Sequence, residues 1–153
     1  MRVLDARGIA YHPAAYPPQF HSGEDVARAI GAPVDQVFKT LVVVAEGATF
    51  LLAVIPSGRE LDLKHTAFAA GVKRVRMATR KEAEGKTGLL AGGISALALL
   101  GKPFVVYLDR HALDYDAIWV SAGQRGYNLR IAVHDFVAIT RAEVAELAAE
   151  PAS

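Results

Sequence analysis

The chain has 153 residues, one domain's worth of sequence with enough apolar material for a sizeable core. Hydrophobic residues make up 52% and charged residues 22%, a balance that excludes a disordered chain. Cysteine is absent, which excludes disulfides, thiolate chemistry and Cys-ligated zinc, and a formal net charge of +1 excludes a polybasic nucleic-acid coat while allowing a local basic patch.

No export or membrane-spanning pattern is read in the sequence, so a soluble, cytoplasmic protein is the expectation. Pro13, Pro17 and Pro18 predict an extended, loop-like stretch over 12–21. Ser22 caps a first helix, with Asp25 three residues on, and Gly31 and Pro33 stop it. β-Branched enrichment predicts strands over 37–45 and 49–55, joined as a hairpin through Glu46-Gly47-Ala48. Asp62 caps a second helix ending at Gly71, and Val72 to Met77 reads as a short strand. Beyond a glycine-rich stretch, strands are expected over Phe104–Leu108, Ala117–Ser121 and Leu129–Val133, the last two flanking a hairpin loop. Thr140 and Glu143 suggest a capping box for a last helix carrying Val144, Leu147 and Ala148, closed by Pro151. Hairpins mixed with isolated helices indicate an α+β (mixed α/β) class, with residues 1–153 as a single domain.

Several familiar motifs fail on inspection. Gly85-Lys86-Thr87 resembles the end of a P-loop, but the required earlier glycine is Arg80. The five histidines show no H-x-x-x-H spacing, and Ser95 lacks the final glycine of a nucleophile elbow. Four other features stand out. Lys39 shares a strand face with Val37, Leu41 and Val43, where a lysine either snorkels to the rim or meets an anion. The run Gly88-Leu89-Leu90-Ala91-Gly92-Gly93-Ile94-Ser95 is either a tight turn or a place where backbone N–H groups hold a carbonyl. The loop Ser121 to Asn128, with Arg125, is an anion-binding concavity or a plain hairpin loop. Residues 73–86 hold six cations (Lys73, Arg74, Arg76, Arg80, Lys81, Lys86) against Glu82 and Glu84, a local excess of four. That run is a solvated face or a phosphate-backbone contact.

Four elements in this order resemble the YbaK-type aminoacyl-tRNA deacylase family, related to the editing domain of bacterial prolyl-tRNA synthetases. They are Val37-Phe38-Lys39-Thr40-Leu41, Leu61-Asp62-Leu63-Lys64, Thr87-Gly88 with Gly92-Gly93-Ile94-Ser95, and Val120-Ser121-Ala122-Gly123 with Arg125-Gly126. The resemblance implies a curved, mostly antiparallel mixed sheet with surrounding helices. It implies hydrolysis of the ester of a mischarged tRNA, typically Cys-tRNA(Pro) or Ala-tRNA(Pro), with no metal or other cofactor. Partners so implied are the tRNA acceptor end and a prolyl-tRNA synthetase, with no DNA and no membrane. It assigns Lys39, Gly92 and Gly93 to the catalytic centre, and Tyr16, Ile94, Ser95, Ala96, Ser121, Gly123 and Asn128 to substrate binding. Lys73, Arg74, Arg76, Arg80 and Lys81 become candidates for the tRNA backbone. Ala96 and Asn128 depart from the proline and aspartate that many relatives carry, and a non-catalytic tRNA- or synthetase-binding module is the alternative reading.

Overall fold

The structure is a computed structural model and describes residues 1–20 and 22–150, so that His21 and Pro151 lie outside the described residues. Its elements run α1 (Arg2–Ala6), β1 (Tyr11–Ala15), α2 (Gly23–Ile30), β2 (Phe38–Ala45), β3 (Thr49–Pro56), α3 (Leu63–Ala70), β4 (Val75–Met77), α4 (Arg80–Thr87), β5 (Val105–Asp109), β6 (Ala117–Ser121), β7 (Tyr127–Ala132), α5 (Val133–Thr140) and β8 (Glu143–Ala145). The strands form a five-stranded mixed sheet, β4-β2-β3-β5-β8, and a three-stranded antiparallel sheet, β1-β7-β6. A parallel bridge between Val37 and Trp119 joins them where β2 begins. The α+β class and the mostly antiparallel pairing stand, and only β3–β5 and β5–β8 run parallel.

The long hairpin is the spine. Its strands read as unbroken apolar runs because both faces of the large sheet are covered. Phe38, Val42, Leu52, Val54, Val106 and Leu108 point to one core, which α5 fills with Phe136 and Ile139 and the small sheet with Ile118 and Leu129. Val43, Leu51, Ala53 and Ile55 point the other way, against Leu147, Ala148 and part of α3. Each Val, Leu, Ile or Phe among them stabilises the fold by about 1.5–3 kcal/mol on burial. The caps follow the sequence: Ser22 accepts from the Asp25 N–H at 3.1 Å, and Asp62 from the His65 N–H at 2.9 Å.

The C-terminal region departs from expectation. The last described helix is α5, over Val133–Thr140, and Glu143–Ala145 is a strand. Thr140 ends α5, its hydroxyl donating back to the Phe136 carbonyl at 2.7 Å. Buried Asp109 at the end of β5 then takes the Leu147 and Ala148 N–H groups at 3.0 and 2.9 Å, so those residues run extended beside the sheet. A long-range acceptor outcompetes a local cap here. α1, β1 and α5 were absent from the sequence reading, and Pro13 is tolerated in β1 because β1 is an edge strand.

Candidate active site

A cleft of about 340 Å³ opens where the two sheets meet. β2 supplies Lys39 and Thr40, β6 and β7 supply Ser121 and Asn128, and Tyr16 and Phe20 close one end. Ala91, Gly92 and Ile94 line it from the glycine loop, and Met77, Ala78 and Ala83 bring in β4 and α4. Six expected site residues therefore meet here: Tyr16, Lys39, Gly92, Ile94, Ser121 and Asn128. Among the described residues the cleft is lined by no Asp, Glu or His.

The strand side works through side chains. β4 pairs with β2 only at Val43–Ala45, so the edge of β2 that faces away from β3 is open at Thr40. Antiparallel alternation turns the Thr40 N–H and C=O to that edge. Lys39, on the other set, sends its Nζ to the Ser57 carbonyl at 3.3 Å. Burial pulls the Lys39 ammonium below its usual 10.5, and the charge of Glu60 offsets this only in part. It makes no salt bridge among the described residues. A half-buried cation bonded to one neutral carbonyl retains donors for an anion. Asn128 is 5% exposed, yet its amide bonds no protein group among the described residues and faces the cleft. Tyr16 is anchored through its N–H to the Gly126 carbonyl at 2.9 Å, and burial pushes its phenol up. Ser121 spends its Oγ on the Gly123 N–H at 3.2 Å.

The loop side works through backbone, and its two glycines do different jobs. Gly92 has φ +87°, which a tight turn demands at its third residue when Gly93 N–H bonds the Leu90 carbonyl at 2.9 Å. Gly93 is needed for space: a Cβ there would lie 3.0 Å from the Arg125 nitrogen and the Gln124 Cα. The Gly93 N–H is thus occupied, whereas the Gly92 N–H has no partner among the described residues. Two distant side chains fix the turn. Glu84 Oε2 accepts from the Ala91 N–H at 2.7 Å, and Arg125 Nε donates to the Ala91 carbonyl at 2.6 Å. The Ala91 bond holds the Glu84 carboxyl below its usual range. Arg125 is thereby a staple between two loops.

Four expected site residues lie off the cleft. Gly93 packs against the 124–125 backbone, and Gly123 lies against Ala98, to whose methyl a Cβ would come within 2.9 Å. Ser95 is buried and its Oγ accepts from the Ala98 N–H at 3.2 Å, holding the next turn. Ala96 is buried in the main core. Thr40, Phe20 and Ser57 line the cleft and went unread as site residues, because neither a strand threonine nor a turn serine carries a spacing signal.

The basic segment is partly self-neutralised. Arg76 forks onto Glu82 at 2.8 and 2.9 Å, Arg80 reaches Glu84 at 3.5 Å, and Lys86 lies 4.9 Å over the Phe50 ring. Glu82 also closes a capping box with Thr79, and its carboxyl falls to about 2, chiefly through Arg76. Lys73, Arg74 and Lys81 remain exposed without salt bridges among the described residues. Gly85-Lys86-Thr87 is the end of helix α4, where Thr87 bonds the Ala83 carbonyl at 2.7 Å. Among the described residues no cluster of three His, Asp or Glu side chains is placed to hold a metal, and no helix is long and apolar enough to cross a membrane.

Comparison with known proteins identifies this architecture. The profile described as "Aminoacyl-tRNA editing domain" matches residues 17–139. A protein of Enterococcus faecalis, "Putative Cys-tRNA(Pro)/Cys-tRNA(Cys) deacylase EbsC", is 37% identical over 149 residues, covering 96% of this chain and 90% of that protein. A proline–tRNA ligase of Shouchella clausii is 27% identical over 111 residues, 72% of this chain but 19% of the ligase. A crystal structure of "a putative trans-editing enzyme for prolyl tRNA synthetase" superposes with a TM-score of 0.84 at 29% identity, over 96% of this chain and 92% of that one. The chain belongs to the aminoacyl-tRNA editing domain family of the YbaK type.

Proposed function

We propose that the cleft hydrolyses the ester joining a wrongly attached small amino acid to tRNA, with Cys-tRNA(Pro) and Ala-tRNA(Pro) as substrates. The observation that carries this reading is the convergence of Lys39, Asn128 and the Gly92 N–H, which has no partner among the described residues, on one small cleft. An aminoacyl ester is already activated, so a site that positions it, stabilises an oxyanion and admits water is sufficient.

In this reading Gly92 N–H donates to the ester carbonyl, and Lys39 holds a phosphate or ribose oxygen of the terminal nucleotide. Gly93 serves by letting the 92–93 backbone lie against 124–125. Asn128, Ser121, Thr40 and Tyr16 position the amino acid and ribose. Water, activated by the substrate's own hydroxyl or thiol, adds to the carbonyl carbon. The ester C–O bond then breaks, and the ribose oxygen leaves with the proton the water released. The products are free amino acid and uncharged tRNA. Lys73, Arg74 and Lys81, on the segment that adjoins the cleft through Met77 and Ala83, contact the tRNA backbone.

The test is a deacylation panel of preformed mischarged tRNAs with protein well below substrate. Cleavage of Cys- and Ala-tRNA(Pro) above the buffer rate, with Pro-tRNA(Pro) spared, is the expected result. Tight binding without turnover would establish the non-catalytic module instead. Cleavage of simple amino-acid esters but not of tRNA would point to a small-molecule hydrolase.

A further inference from the structure

A second cavity, of about 690 Å³, lies beyond the glycine loop: segment 92–96 gives Gly92 and Ile94 to the cleft and Ala96 to this other space. Its volume falls within the ~300–1,000 Å³ usual for small-molecule sites. Its floor is apolar and buried, built from Leu52 of β3, Val106 of β5, Leu99 and Ile139. Its rim carries Arg7, Lys102 and Arg141, all exposed, and among the described residues no Asp or Glu lines it.

The three cations differ from the paired arginines of the molecule. Arg28, Arg59, Arg76, Arg80 and Arg110 each pair with a carboxylate. Among the described residues Arg7, Lys102 and Arg141 pair with none. Arg141 also sits in a left-handed cap at φ +57°, a conformation that favours glycine or asparagine. Cations from the cap of α1, the 100–103 turn and the cap of α5, around buried apolar side chains, are complementary to one ligand chemistry. An anionic head group would meet the rim while an apolar body covers the floor.

We propose that this second cavity binds a small amphipathic anion, a carboxylate or phosphate monoester on an aliphatic body. The proposal is independent of ester hydrolysis in the cleft, because its readout needs no tRNA. Titration of the intact protein with decanoate, octyl phosphate, decanol and inorganic phosphate, followed by calorimetry and amide chemical shifts, tests it. Saturable binding of decanoate or octyl phosphate with Kd below about 1 mM is expected, with shifts centred on Gly101, Val106 and Arg141. Decanoate alone would assign a carboxylate head group, octyl phosphate alone a phosphate. The double variant Arg7→Gln, Lys102→Gln, both at exposed positions, should weaken binding by at least about tenfold. The proposal is overturned if neither anion saturates, if decanol binds as tightly, or if inorganic phosphate matches octyl phosphate. It is equally overturned if the double variant binds as the parent does, or if the shifts centre on Lys39 and Asn128.

Discussion

The two sides of the cleft are built on opposite plans. The strand side holds Lys39, Thr40, Ser121 and Asn128 on paired strands, where the ladder fixes each Cα and the side chain does the chemistry. The loop side offers the Gly92 backbone, held by no ladder but by Glu84, Arg125 and the close approach at Gly93. A strand side can lose one side chain and keep its shape. A loop side loses its shape when one contact outside the cleft fails.

This contrast predicts that the largest loss comes from a residue that never lines the cleft. Gly93→Ala should push the loop off the 124–125 backbone and cut deacylation kcat/KM by about 100-fold, the scale of a 1 Å misplacement. A comparable rate for Gly93→Ala would break the distinction between the two sides. Lys39→Ala should cost less, about tenfold or somewhat more, the worth of one hydrogen bond to a charged group, and mostly in KM. Because burial lowers the Lys39 pKa, its charge is lost below the usual 10.5 as pH rises. Affinity for uncharged tRNA should then decline in that range for the parent and stay flatter for Lys39→Ala. An equal decline in both would remove Lys39 from the contact.

Smaller effects follow on the outer face. Neutralising Lys73, Arg74 and Lys81 together should lower the log–log salt slope of tRNA binding by about three, near one unit per phosphate contact. An unchanged slope would return these side chains to a solvated surface. Glu82→Gln should act on stability alone. With the folded carboxyl near 2 against an ordinary 4.5, the Glu82 contribution is fully present above 4.5 and fades as pH falls through about 2. The Tm gap between parent and Glu82→Gln should therefore close on acidification across that window. A gap that stays constant would contradict the Arg76–Glu82 linkage.

The same contrast explains what the sequence disclosed. Lys39 was conspicuous because strand alternation put a cation among Val37, Leu41 and Val43, and the paired hairpin bears that alternation out. The glycine loop was visible as a loop, but not how it is held, since Arg125 lies 34 residues from Ala91. The resemblance assigned Ser95 and Ala96 to substrate binding, and the structure buries both side chains. At the C-terminus a local capping pattern at Thr140 and Glu143 lost to Asp109, whose carboxylate reaches 38 residues along the chain to Leu147. Periodicity carries to the strand side, whereas contacts across tens of residues leave no local trace.

The net charge of +1 now divides more finely than a basic patch and an acidic remainder. Arg76 and Arg80 are paired within their own segment, and a small number of free cations remain beside a nearly neutral cleft. That suits the proposed contact with the aminoacyl end of tRNA and a short stretch of its backbone. The most direct test of this account is turnover of preformed Cys-tRNA(Pro) and Ala-tRNA(Pro) by the parent and by Gly93→Ala, each checked for intact fold. The account predicts many esters cleaved per parent molecule and a loss of about 100-fold in the variant. Binding of both tRNAs by the parent with no cleavage above buffer would contradict it.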